Sequence, residues 1–517
     1  MNPRQGVMSL AIAVVAATAL SAFGVIRGTW AVGGSDSSCY ALMAQAFANG
    51  RLQPSTPLAV DAPWPNVPVT FAPGGFIPST IHSDAAAPIC APGMSVLMAP
   101  LAAMFGQDAI FWLTPIAAFA LVMSVFAIAS RLSGGMAGAS AAILVATSPI
   151  VLYQTVQPMN DVLTAALWLA ALALAERSAI SGVLIGLAIL VRPNLAPLAV
   201  VMAAMPFIER GIDARAWRSL ARMVAGAVPG VLGLMLLNRT LYGSVIGSGY
   251  GDASALFSLA NINPNLTHYG RALFQTQNIV PAIGLAAPTL FQGVQRRLSV
   301  VLLTFAIFAI GIYLLYTPFP EWWYLRFLIP AIAVLLVLSG AVAVNLLSRA
   351  SMGGLIPIAA VVVGILSTRI AGEREAFKLQ EMEGRYRQTA ELIRDRLPAN
   401  AVVITEWQSG SIRFHAGREV VLWESLDPAW FDRSLSWLRS KGLQPYLLLE
   451  RREEPQFRDR FRAASEVGAL DFPPRFDMNR QVRIFDPADR ARYMAGEGYQ
   501  TENIPLRQGY GGRVRPR

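Results

Sequence analysis

Eleven apolar runs recur along the first 370 residues, at about 6–26, 108–130, 136–153, 159–176, 179–192, 194–209, 222–240, 277–293, 298–317, 327–347 and 354–370. A helix needs about 20 apolar residues to cross the hydrocarbon core of a bilayer. Lipid offers no hydrogen-bond partners, so such runs cross it as helices with their backbone groups satisfied internally. Only 14% of the residues are charged, and 54% are hydrophobic; a soluble domain carries about 25% charged residues. The expected fold class is an α-helical polytopic membrane protein with about eleven transmembrane helices. The count is open by about two, because the pair within 179–209 is short.

The orientation follows from the basic residues. The opening MNPRQGVMSLAIAVVAATALSAFGVIR resembles a signal peptide, but its apolar stretch has the length of a span, and it is read as an uncleaved anchor with a cytoplasmic N-terminus. Alternating from there, the inner turns hold Arg131, Arg177, Arg210, Arg215, Arg218, Arg222, Arg296, Arg297 and Arg349, as the positive-inside rule requires. The net charge of +10 is therefore assigned to topology, and no nucleic acid is expected as a partner. Lysine is confined to Lys378 and Lys441. This usage suits a GC-rich bacterial genome, and the expected location is the bacterial inner (plasma) membrane.

Three stretches lie outside the runs. A first outer loop at 28–107 is rich in Pro and Gly, and its SCYALMAQAFANG piece is expected to lie along the membrane surface. A second outer loop covers 241–276. The region 371–517 changes character. Short β-rich runs at AVVIT (401–405), EVVLW (419–423), PYLLLE (445–450) and VRIF (482–485) alternate with helical patterns such as AWFDRSLSWLRSKG. That alternation predicts a small α/β domain. Eleven crossings place it outside (periplasmic or extracellular), with a disordered tail from about 505. The division is thus a transmembrane domain at 1–370 and an extracytoplasmic domain at 371–517.

Charges at membrane depth are costly and mark paths, pairs or sites. Asp36, His82, Asp84, Asp161, Arg192 and Arg326 all fall on the outer side by this topology. A carboxylate can take a proton from a hydroxyl, and guanidinium groups can hold a phosphate in two-pronged fashion. Each also has a plain structural reading. Asp36 and Asp161 sit where helix caps belong. His82 and Asp84 fit a polar loop surface. Arg192 fits a snorkelling side chain, and Arg326 an aromatic belt with Trp322, Trp323 and Tyr324. Tyr40, one turn after Asp36, Gln157 and Tyr324 complete the candidates for substrate contact. Asp36, His82 and Asp84 also offer oxygen and nitrogen ligands for Mg²⁺ or Mn²⁺. Cys39 and Cys90 both lie in the first loop, on the disulfide-permissive side. They are either bridged, which would pin the Asp36 helix to the Pro-rich stretch, or two buried thiols.

Five segments together resemble the GT-C superfamily of integral-membrane glycosyltransferases, in the branch of protein mannosyltransferases and lipid A aminoarabinose transferases. They are SDSSCYALMAQAFANGRL, APICAPGMSVLMAPLAAMFG, SPIVLYQTVQPMND, SGVLIGLAILVRP and WWYLRFLIPAIAVLL, in the family's order over about residues 1–350. The resemblance implies a GT-C-type fold and a polyprenyl-phosphate-linked sugar donor. It also implies an acceptor at the outer face (glycan, glycolipid or protein), inversion at the anomeric carbon, and Asp36 as general base. Two departures stand out: the acid that usually follows the first Asp is Ser37, and the loop has no lysine. The rival readings are a transporter or flippase of lipid-linked glycans, against which the absence of a visible repeat counts, and a non-catalytic envelope-assembly protein.

Overall fold

The computed structural model describes residues 3–349 and 355–507. Most of the tail expected to be disordered lies outside the described residues.

Each apolar run is helical. Among the described residues, five helices are long and apolar enough to cross a membrane: Gln5–Ile26, Gln107–Ser133, Ala214–Tyr242, Gly293–Leu314 and Trp322–Arg349. A sixth crossing results if Gly135–Ala146 and Pro149–Thr155, which meet at 62°, count as one span. Pro149 sits at the first position of the second piece, where its missing N–H stops the preceding helix and starts the next. The remaining runs form shorter apolar helices, among them Gly93–Phe105, Asn160–Ala173, Ser178–Val191, Leu198–Ile208 and Val280–Leu290. This is a multi-pass membrane protein. Its lipid-facing surface is visible on Ala214–Tyr242, where Val224, Val228, Leu232 and Leu236 recur every fourth residue and all stand exposed. Water would not tolerate that stripe.

Small residues set the tightest helix contact. Gly182 and Gly186 of Ser178–Val191 face Gly226 and Gly230 of Ala214–Tyr242. A Cβ on Gly182 would lie 2.0 Å from the Met223 carbonyl oxygen, and one on Gly230 would lie 2.4 Å from Gly186. Two GxxxG patterns thus let the backbones touch, which is how helices associate where no hydrophobic effect separates them from lipid. The last long helix, Ile329–Arg349, is buried over nearly all its length and forms the centre of the bundle.

The first loop opens with a helix, Gly34–Ala48. It does not present a single apolar face to a membrane surface. Ser37 to Ala44 and Ala46 are all buried, between Gly93–Phe105 on one side and the turn at Ser409–Ser411 on another. Two ties hold it: Cys39 is bonded to Cys90, with their Cα atoms 6.2 Å apart, and the Ser95 hydroxyl donates to the Tyr40 carbonyl at 2.9 Å. The loop's hairpin, β1 (Phe76–Pro78) and β2 (Ala86–Pro88), pairs antiparallel. The stretch at 241–276 carries a helix as well, Ile262–Gln277.

Beyond residue 400 lies a six-stranded mixed sheet. Its strands are β3 (Ala401–Ile404), β4 (Glu419–Val421), β5 (Gln444–Glu450), β6 (Phe476–Met478), β7 (Val482–Phe485) and β8 (Glu502–Asn503), in the order β4-β3-β5-β7-β6-β8. Strands β4, β3 and β5 run parallel, and β7 is antiparallel to β5 and β6. Successive side chains go to opposite faces. Val402, Ile404, Leu447 and Leu449 pack with Phe431, Phe457 and Phe461 on one side. Val403, Tyr446, Leu448 and Ile484 pack with Ala390 and Ile393 of the helix Leu379–Arg396 on the other. Both faces are covered, which explains why the strands read as continuous apolar runs. The first core also takes in Trp64, Val67 and Phe71 from the first loop, and the Leu422 amide donates to the Thr70 carbonyl at 2.7 Å. The loop and the sheet region share one hydrophobic core.

Candidate active site

Asp36 lies in the first turn of Gly34–Ala48. Its carboxylate meets Arg326 at 2.9 Å, with side-chain exposures of 31% and 15%. Arg326 comes from the short 3-10 segment Trp322–Leu328 that leads into the central helix. Exposed surface ion pairs contribute little, but this one is mostly enclosed and joins elements 290 residues apart.

A second pair sits deeper. Asp161 is fully buried and lies 2.8 Å from Arg192, itself 11% exposed. Asp161 opens the helix Asn160–Ala173, and Arg192 closes the helix Ser178–Val191. Each charge therefore sits at the helix end whose dipole favours it. Asn160 ties the two ends together by donating to the Val191 carbonyl at 3.3 Å. The APG turn of the first loop packs on this spot: a Cβ on Gly93 would lie 2.3 Å from the Leu190 backbone. Only glycine lets the loop reach the residues just before Arg192.

Phe327 joins the two pairs. The guanidinium carbon of Arg326 stands 5.1 Å from its ring centre and that of Arg192 5.3 Å. Tyr313 stacks on Phe327 at 5.0 Å and also faces Arg192. Cation–π contacts of this kind favour a desolvated guanidinium. Among the described residues, Arg326 Nε and Arg192 Nη1 are buried without a hydrogen-bond acceptor. An orphaned buried donor costs about 1–3 kcal/mol, and the Asp161 carboxylate oxygens beside Arg192 likewise lack a hydrogen bond of good geometry.

No family model matches the sequence, and no curated protein matches it significantly. Solved structures do match. The chain is similar to ArnT from Cupriavidus metallidurans bound to undecaprenyl phosphate, with a TM-score of 0.56 at 12% identity, over 89% of this chain and 96% of that one. The apo state of that protein gives 0.55 at 13%, over 86% and 92%. The Archaeoglobus fulgidus oligosaccharyltransferase in complex with Zn and sulfate gives 0.54 at 14%, over 88% of this chain and 70% of that one. The chain has the GT-C fold.

Within this GT-C frame the other candidates fall into two groups. Tyr40 is buried, one turn from Asp36, and feels the charges of Asp36, Arg192 and Asp161. Tyr324 lies 5.2 Å from the Arg326 guanidinium and stacks on Phe319. Gln157 donates to the Tyr153 carbonyl at 3.1 Å, and Tyr153 in turn packs on Trp322 and Trp323. His82 and Asp84 stand apart. They are exposed at the tip of the β1–β2 hairpin, where the His82 amide donates to Ser79 and the Asp84 carbonyl accepts from Thr56. Among the described residues no three His, Cys, Asp or Glu side chains converge as a metal set. The Mg²⁺ or Mn²⁺ grouping of Asp36, His82 and Asp84 is therefore not assembled, and the partner that Asp36 has is Arg326.

Three neighbours of the site were not singled out in the sequence. Phe327 carries no polar atom and gives no signal. Tyr250 lies within electrostatic reach of Asp36 and both arginines. Glu383, from the helix Leu379–Arg396, lies against the start of the Asp36 helix: a Cβ on Gly33 would meet its carboxylate at 1.8 Å. Burial pushes the Glu383 carboxyl above its ordinary range, Arg385 opposes this, and Glu450 adds to it. Ser37, where the resemblance leads one to look for an acid, is buried and bonded to the Gly33 carbonyl of its own helix.

Proposed function

We propose that this protein is a membrane glycosyltransferase that moves a sugar from a polyprenyl-phosphate carrier to a hydroxyl of an extracytoplasmic glycan, glycolipid or protein. The observation that carries this reading is the pair of carboxylate–arginine contacts gathered around Phe327, with two buried guanidinium donors left over. A lipid phosphate needs such donors, both to be held and to leave. The GT-C fold supports the same reading, as does the undecaprenyl phosphate bound to the similar ArnT structure.

Arg326 and Arg192 would hold the donor phosphate. As the phosphate engages Arg326, the guanidinium turns from Asp36 and frees its carboxylate for the acceptor. The acceptor oxygen attacks the anomeric carbon and its proton passes to Asp36. The bond from that carbon to the phosphate oxygen breaks, and polyprenyl phosphate leaves with the electron pair. Attack opposite the leaving group inverts the anomeric carbon. Tyr40, Tyr324 and Gln157 line the approach, and Asp161 holds Arg192 in place.

The helices at 1–370 form the membrane domain in this reading, with about eleven crossings when the short apolar helices are counted. The region 371–517 lies on the outer side of a bacterial inner membrane. Purified protein incubated with radiolabelled polyprenyl-phosphate sugars tests the function. Transfer, or slow donor hydrolysis, lost in Asp36→Asn is the expected result. Activity unchanged in that variant sinks the mechanism, and uptake into sealed vesicles without product favours a transporter.

A further inference from the structure

A cavity lies away from Asp36. It has a volume of about 650 Å³ and sits between the first loop and the sheet region. That is within the range of small-ligand sites, roughly 300–1,000 Å³. Its floor is the far side of the Asp36 helix. Gln45 lines the cavity and follows Asp36 by nine residues. At 3.6 residues per turn they lie on opposite faces, about 13 Å apart along the axis. The cavity is thus separate from the Asp36–Arg326 pair, though built on the same helix.

Its walls are rich in donors. Arg51, Arg413 and Arg418 line it, with Glu419 as the one acid. Arg413 is committed, pairing with Glu419 and donating to the Ser55 carbonyl at 2.6 Å. Among the described residues no acid pairs with Arg51 or Arg418, and the Arg418 guanidinium meets the Ala416 and Arg394 carbonyls, each at 3.5 Å. Arg51 is exposed at the rim. Arg418 is half-buried, and its Nε is buried without an acceptor. Gln53, also on the wall, is 7% exposed. Its Oε1 accepts from Ser79 at 3.1 Å, while its Nε2 is buried with no partner. These two donors are buried behind the cavity wall, where an unmet donor is costly until an acceptor reaches it, and the open cation on the wall is Arg51. Guanidinium groups suit an oxyanion and amides suit sugar hydroxyls.

We propose that this cavity binds an anionic saccharide, a sugar carrying a phosphate or a carboxylate, and so anchors the acceptor chain away from the transfer point. That the ligand is the acceptor rests on the glycosyltransferase reading. Binding itself does not, and is measured without turnover.

The test is calorimetric titration of the full-length protein in detergent with glucose 6-phosphate, glucuronate, glucose and inorganic phosphate. Binding of one or both charged sugars, at least tenfold tighter than glucose and than phosphate alone, is expected. The stronger of the two names the anion. Arg51→Glu, at the exposed rim, and Gln53→Glu, which keeps the acceptor for Ser79 and adds a repelling charge, should each weaken that binding at least tenfold. Asp36→Asn should leave it unchanged. Equal binding of glucose and the charged sugars, phosphate alone binding as well as its sugar, no binding in the millimolar range, or binding indifferent to both Glu variants would each overturn the proposal. Binding present in a protein with no transfer activity would remove the transferase reading and leave the anionic site standing.

Discussion

The Asp161–Arg192 pair separates a structural role from a functional one. At 2.8 Å and an effective dielectric of about 20, the attraction is about 6 kcal/mol. Asp161→Asn keeps the shape and removes the charge, which also relieves the several kcal/mol spent desolvating a buried carboxylate. What remains is a buried guanidinium without its counter-charge, for a net loss of about 3–5 kcal/mol. Phe327 and Tyr313 soften this only by the modest energy of cation–π contacts. Replacing both partners by apolar residues, Asp161→Leu with Arg192→Met, removes the buried charge and should return stability to within about 2 kcal/mol of the starting protein. The assay is denaturant unfolding in mixed micelles, followed by tryptophan fluorescence; Trp168, on the Asp161 helix, is fully buried. Under the proposed role of Arg192, the double variant folds but transfers no sugar. A double variant as unstable as the single one would refute the electrostatic argument. A stable and active double variant would refute the phosphate role of Arg192.

Asp36 is 31% exposed whereas Asp161 is fully buried, so Asp36→Asn should cost less stability than Asp161→Asn while lowering transfer by two orders of magnitude or more; a stability loss as large as that of Asp161→Asn would mark a structural residue. Cys39 and Cys90 close a loop of 51 residues, so loop-closure entropy gives the bond about 4 kcal/mol; Cys39→Ser with Cys90→Ser, or reductant, should lower the thermal midpoint, and unchanged melting would refute the loop's dependence on it. Gly186→Val puts a side chain where the Ala227 backbone lies and should unfold or mispack the two helices, seen as loss of monodisperse protein on gel filtration, whereas Gly311→Ala, with open space around its Cβ, should be tolerated. Burial pushes the Glu453 carboxyl up to about 7, aided by Glu450 and opposed by the Trp407 and Glu450 amides that bond it. The folded state then holds an extra proton between about pH 4.5 and 7, so stability should fall by on the order of 3 kcal/mol as pH rises through that window; a melting temperature that instead rises there, or that Glu453→Gln leaves with the same slope, would refute it.

The helices were legible because apolar runs of span length admit one kind of backbone in lipid. Their bends were not: the 62° break at Ser148 depends on Pro149, which a hydropathy reading passes over as one more apolar residue. Four of the six strands stood out because both faces of their sheet are covered. Strands β6 and β8 did not, being three and two residues long with Asp, Glu and Asn in them. At the site, Asp36, Asp161, Arg192 and Arg326 were conspicuous as charges at the ends of apolar runs. Which acid meets which arginine was not, since the contacts span up to 290 residues and no spacing rule links them. His82 and Asp84 were marked by residue type alone, and their hairpin holds them on the surface.

The least legible part is also what covers the Asp36 helix. Residues beyond 371 would be taken for an appendage, yet Gln380 donates to the Ile26 and Gly28 carbonyls at 3.1 and 3.0 Å. Arg387 donates to the Trp30 carbonyl and pairs with Asp108. The amide of Val32 donates to His415, and Ser409 accepts from the Gly74 amide. The contacts at Ile26, Gly28, Trp30 and Val32 satisfy the backbone where the first helix has ended and the Asp36 helix has not begun, a stretch with no ladder of its own. Buried backbone groups left without partners are costly, so deleting the C-terminal region would expose or disorder the segment that aims Asp36. Loss of activity on truncation would therefore say nothing about acceptor choice. Only point changes on the cavity wall, such as Arg51→Glu, address that question while the Asp36 helix stays in place.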